Sequence, residues 1–116
     1  MSRLSAVANA HDRPMKRPFA HPSEKAYADL LDEHGIPWEY EPHTFPLEVD
    51  EHARVTEAVT PDFYLPTIGL YVECTMTKPR LISRKRRKAR KLRRRYGALV
   101  TLLERADLER LLDWRR

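Results

Sequence analysis

Residues 80 to 95, RLISRKRRKARKLRRR, constrain the fold more than any other stretch, because they hold 11 of the chain's 22 Lys and Arg residues and no acid. Their few apolar residues recur on one side only. Ile82, Ala89, Leu92 and Tyr96 follow one another at steps of 7, 3 and 4, the period of a single helix face, so the stretch predicts a helix of roughly 81 to 96 that stops at Gly97. The position missing from that seam, three after Ile82 and four before Ala89, is Lys85. A lysine therefore falls in the buried stripe, while Arg86, Arg87, Arg90, Arg93 and Arg94 lie on the flanks or the far side.

Such a block is an electrostatic footprint suited to phosphates, with nucleic acid as the leading partner class and an anionic membrane surface behind it. Outside the block, 11 bases face 17 acids, a net −6 under an overall +5. A solvated basic face is the plainer alternative. The chain has 116 residues, enough for one modest core and one domain. No apolar run approaches the roughly 20 residues of a membrane span. The N-terminus shows no signal-peptide h-region, and the single Cys74 cannot form an intrachain disulfide, so a cytoplasmic setting is expected.

Residues 1 to 18 lack periodicity and read as a flexible tail, leaving 19 to 116 as the folded domain. Pro22 and Glu24 suit a first helical turn and Gly35 a stop, giving a helix of about 22 to 34. IPWEYEPHTFPLEV supplies a strand near 37 to 41 and a second near 44 to 49, with a turn at 50 to 53. RVTEAVTPDFYLP and GLYVECT read as strands, ALVTLLE as a strand after the basic helix, and ADLERLLDWRR as a last helix. The order is α, three or four β, α, β, α, an α/β (α+β) chain with a mixed sheet flanked by helices.

A turn centred on Thr67 and Ile68 would set Leu65 against Leu70 and Phe63 against Val72 on one face. The same register puts Asp62 opposite Glu73 on the other face, β-carbons about 5 Å apart, beside Tyr64 and Tyr71. Facing carboxylates repel unless a cation or a proton sits between them. On the first helix Tyr27, Ala28 and Leu31 define an inner face, and Glu24 falls within it. Glu24 could alternatively serve the helix dipole with its head in water, and Lys85 could lie along the helix edge.

An inward helical acid, an Asp after Pro, a Glu 11 residues later and an inward lysine resemble the PD-(D/E)XK nuclease superfamily, whose restriction-endonuclease-like core runs α-β-β-β-α-β. The resemblance covers about residues 19 to 112. FAHPSEKAYADLLDEHGIPWEYEP, RVTEAVTPDFYLPTIGLYVECT and LISRKRRKARKLRRRYG look like a small bacterial branch of it, some members of which are joined to or named after a hypoxanthine phosphoribosyltransferase. Nothing here resembles a phosphoribosyl-pyrophosphate site, so that name is not carried over. The superfamily's usual lysine, two residues after the second acid, is replaced by Thr75. Some related nucleases supply it from the following helix, which makes Lys85 the first candidate and Lys78, in the loop, the second.

The resemblance implies metal-assisted phosphodiester hydrolysis in DNA, or less readily RNA. Asp62 and Glu73 would hold Mg²⁺ or Mn²⁺, Glu24 would be an inner or outer ligand, and Lys85 would orient the nucleophile or stabilise the transition state. Arg84, Arg86, Arg87, Lys88, Arg90, Lys91 and Arg94 are the candidate nucleic-acid contacts, acting by counterion release without sequence readout. Homodimer formation stays open. Two other readings remain: a non-catalytic nucleic-acid-binding module, which Thr75 favours, and an interaction protein using the fold as scaffold. Five histidines show no zinc spacing, and Cys74 reads as core. Trp38 and Trp114 read as core or edge packing.

Overall fold

The computed structural model describes residues 19–76 and 79–114. Its elements are α1 (Pro22–Glu33), β1 (Glu39–Tyr40), β2 (Phe45–Val49), β3 (Val55–Val59), β4 (Phe63–Leu65), β5 (Leu70–Thr75), α2 (Pro79–Tyr96), β6 (Leu99–Glu104) and α3 (Arg105–Trp114). The expected tail at 1 to 18 and Lys78 lie outside the described residues.

The element order follows the expected one with two refinements. RVTEAVTPDFYLP is two strands rather than one, β3 and β4, and they belong to different sheets. Pro61 separates them, since it has no N–H to give to a ladder and the chain must leave one sheet before it joins the next. Thr60 holds the exit by a side-chain hydrogen bond to Thr44, 2.7 Å between hydroxyl oxygens. The basic helix also starts earlier than expected, at Pro79, in the first-turn position that proline suits.

The main sheet has the order β1-β4-β5-β6. β4 pairs antiparallel with β1 and β5, while β5 and β6 are parallel and joined through α2. The β4–β5 register pairs Phe63 with Val72, Tyr64 with Tyr71 and Leu65 with Leu70, as the turn centre at Thr67 and Ile68 requires. Gly69 closes that turn at φ +65, a backbone that residues with a Cβ adopt at a cost, and its N–H bonds Leu65 O at 2.9 Å. β2 and β3 form a separate antiparallel hairpin.

Each face of the main sheet carries its own core. On one, Phe63, Leu65, Val72, Cys74 and Leu103 pack with Tyr27, Ala28, Leu30 and Leu31 of α1 and Leu108 of α3. On the other, Tyr71 packs with Leu92 of α2 and with Phe45 and Leu47 of the hairpin, Tyr96 and Val100 closing the edges. α2 thus meets the sheet through the seam that its spacing marks out, with Leu92 1% exposed. It ends at Gly97, φ +68, whose N–H bonds Arg93 O at 2.9 Å, a left-handed helix cap. Among the described residues the result is a small α+β fold of three helices, a mixed sheet and a hairpin; within the main sheet and its helices the chain order is α1, β1, β4, β5, α2, β6, α3.

Candidate active site

Asp62 immediately precedes β4 and Glu73 lies on β5, so the hairpin register brings the two together one step beyond the last ladder pair. Here the backbone ladder is replaced by side chains. The Asp62 N–H donates to Glu73 Oε1 at 3.0 Å, and the Cys74 N–H donates to Asp62 Oδ2 at 2.8 Å. Each carboxylate therefore caps a main-chain donor of the opposing strand, which pins both and satisfies donors that the end of β4 leaves unpaired. Asp62 O accepts from Glu41 N–H at 2.8 Å, tying the same residue to the end of β1. Asp62 Oδ1 takes no hydrogen bond from any described residue.

Lys85 reaches this pair from α2. Its Nζ stands 3.3 Å from Glu73 Oε2, with the lysine side chain 34% exposed, so a partly exposed side chain along the helix brings its ammonium to the carboxylate. A cavity of about 70 Å³ opens beside the contact, lined by Glu73, Lys85 and Lys88, by Ala89 and Leu92 of α2, and by apolar residues including Val59 and Pro61.

Glu24 points inward and is 5% exposed, which excludes a carboxylate head in water. Tyr40 OH donates to its Oε1 at 2.5 Å, and the Ala20 N–H donates to the same oxygen at 3.1 Å. Burial and the bond to Glu24 push the Tyr40 phenol upward, so it remains a donor. Among the described residues no three His, Cys, Asp or Glu side chains are grouped to hold a metal as they stand; the contact between the two acids is the bond from the Asp62 N–H to Glu73.

Electrostatically, Asp62 is the unusual member. Burial first, then the charges of Glu73 and Glu24, raise its carboxyl to about 8, against the smaller opposing pull of the Cys74 N–H and Lys85. The repulsion foreseen from the sequence is thus met in two ways, by an ammonium beside Glu73 and by a proton favoured on Asp62. Burial and the same three carboxylates drive the Cys74 thiol upward too, which keeps it a core side chain rather than a nucleophile. Thr75, where the superfamily's lysine would be, is 1% exposed.

The seven basic residues named as phosphate contacts divide. Arg87 pairs with Glu57 of β3 at 3.0 Å, Lys91 with Glu48 of β2 at 2.6 Å and with Glu57 at 3.1 Å, and Arg86 with Glu104 at 2.8 Å. Arg84, Lys88, Arg90 and Arg94 form no ion pair with a described residue. Hairpin acids as partners of the basic helix escaped the sequence reading; the only trace of them is the pair of glutamates interrupting FPLEV and VTEAV. His43 escaped it as well. It is 7% exposed, and its Nδ1 is 2.7 Å from Tyr71 OH. Trp38 packs on the first core and donates to Asp32, whereas Trp114 is 74% exposed and stacks on His34.

Comparison with known proteins finds no match: no family model, curated protein or solved structure is recognisably similar to this chain.

Proposed function

We propose that the protein is a divalent-metal-dependent phosphodiester hydrolase of the PD-(D/E)XK, restriction-endonuclease-like type, acting on nucleic acid and more readily on DNA than RNA. The observation that carries this reading is the contact of Asp62 with Glu73, buried at the mouth of two strands with Lys85 beside it. A purely structural pair has little reason to keep one carboxyl at about 8 under two neighbouring acids, and groups so perturbed in a cleft are candidates for function. The small α+β fold, with a mixed sheet between helices, is compatible with that reading.

The donor set fits a hard divalent cation. Asp62 and Glu73 offer oxygen ligands, Asp62 Oδ1 is free of bonds from described residues, and the Glu73 and Glu24 charges that add to burial in raising Asp62 are charges a cation would offset. Mg²⁺ or Mn²⁺ held there would lower the pKa of a bound water and offset charge on the scissile phosphate. Glu24 acts from behind the pair, held by Tyr40. Lys85, at 3.3 Å from Glu73, can exchange that partner for a non-bridging phosphate oxygen or the nucleophile, so its ammonium stabilises charge that develops only in the transition state. Lys88 in the cavity wall neutralises an adjacent phosphate.

The test is cleavage of supercoiled and linear DNA with Mg²⁺ or Mn²⁺. Asp62→Asn and Glu73→Gln should abolish it in folded protein, and Lys85→Ala should lower kcat by about 10²- to 10³-fold, the cost of one charge-stabilising donor, while leaving DNA binding intact. Wild-type protein that binds DNA but cuts nothing would overturn the reading in favour of a non-catalytic nucleic-acid-binding module, which the sealed Thr75 supports.

A further inference from the structure

α2 carries two kinds of base. Lys85, Arg86, Arg87 and Lys91 each face an acid of the protein, and Arg95 donates to Leu47 O. The side chains of Arg90, Arg93 and Arg94 are exposed and make no ion pair or hydrogen bond with any described residue. At 3.6 residues per turn, Arg90 and Arg94 stand roughly 140° and 180° round the helix from Lys85, and Arg93 about 80°. The three lie within little more than one turn; Arg90 and Arg94 turn away from the cavity beside Glu73 and Arg93 lies on the flank.

The helix dipole does not account for them. It amounts to about half an elementary charge at the C-terminus, and Arg95 already serves that end. Guanidinium pairs at i,i+3 and i,i+4, as at 90/93 and 90/94, destabilise a helix by a few tenths of a kcal/mol each. An anionic partner would relieve that repulsion, and the surroundings select its class. The residues sharing the outward side, Ser83, Arg86 and Arg87, offer no apolar side chain. An interfacial membrane helix needs an apolar face to insert, and a protein interface needs aromatic or aliphatic anchors at its centre. A phosphate backbone needs only cations, and Arg forks match phosphate oxygens two at a time.

We infer that Arg90, Arg93 and Arg94 form a phosphate-backbone surface that grips nucleic acid without metal, on the far side and flank of α2 relative to Asp62, Glu73 and Lys85. The segment gripped there is not the segment presented to the carboxylates, so the protein holds its nucleic acid at two places. The inference rests on the proposed function only for the partner class.

Anisotropy titrations of a labelled DNA duplex in EDTA, over roughly 50 to 200 mM salt, test it. The triple variant Arg90→Gln/Arg93→Gln/Arg94→Gln should flatten the log–log salt slope by about 2.7, near 0.9 for each lost phosphate contact, whereas Asp62→Asn should keep the wild-type slope. The single Gln variants, each worth about 0.9, serve if the triple variant does not fold. An unchanged slope in these variants, or no metal-free binding by the wild type, overturns the surface. Loss of cleavage activity bears only on the carboxylate site, because binding here is read without metal.

Discussion

Asp62 concentrates the chemistry of the molecule in one side chain. Its carboxyl is raised from the ordinary 3.8 to about 8 by burial and then by Glu73 and Glu24, so in the metal-free protein the folded state holds a proton that the unfolded state has released. The contribution of this one group to stability is then greatest below about pH 4, declines as pH rises toward 8, and levels off above it, with a slope of at most about 1.4 kcal/mol per pH unit for one proton. Urea unfolding in EDTA at a series of pH values should show this decline, and Asp62→Asn should remove it. Thr75 makes a second argument at this scale. At 1% exposure the position has no room for an ammonium, which is a physical reason for a lysine to approach from α2 instead. Thr75→Lys should destabilise the fold by at least about 2 kcal/mol through overpacking and charge burial, measured by denaturant midpoint, and should not substitute for Lys85.

Among the elements, α2 was the most legible in the sequence, and for a physical reason: a helix with so few apolar residues can pack in only one orientation. Leu92 sits at the centre of that seam, and Leu92→Ala should cost about 3 kcal/mol of stability, read from urea melts. The β4–β5 hairpin was equally legible, since apolar residues on one face fix the register and with it the meeting of Asp62 and Glu73. The break between β3 and β4 was not, because Pro61 sits inside a continuous β-prone run and only the three-dimensional path shows that the chain changes sheets there. The hairpin's hold on α2 was also hidden, because ion pairs between residues 30 or more positions apart, such as Arg87 with Glu57, leave no periodicity. That hold competes with phosphate for Arg87 and Lys91. The bonds from Arg87 and Lys91 keep the Glu57 carboxyl below the usual range. Glu57→Gln should therefore steepen the salt dependence of DNA binding by up to about two phosphate contacts, or 1.8 in slope, and a flatter slope would show that the hairpin presents these bases rather than withholding them.

For the whole molecule, the basic helix and the carboxylate site are two halves of one electrostatic design. Eleven cations on one helix oppose a remainder of net −6, and Lys85 is where the halves touch, through Glu73. The convergence of Asp62, Glu73 and Lys85 could be anticipated from register and helical phase; the proton favoured on Asp62 and the main-chain N–H bonds that pin both acids could not, since each depends on how deeply the strand mouth is buried. If a divalent cation replaces that proton, binding must be linked to pH. Above about 8 Asp62 is already ionised and repelled by its neighbours, so a cation gains the full relief of that repulsion; near pH 6 it must first displace a proton. Mg²⁺ or Mn²⁺ at about 100 times its Kd stabilises a protein by about 2.7 kcal/mol, a shift in Tm of several degrees for a domain of this size. Thermal melts should show a larger metal-induced rise at pH 8 than at pH 6 for the wild type, no rise for Asp62→Asn, and an undiminished rise for Arg94→Gln on the far side of α2. Equal rises at both pH values would place the cation away from Asp62.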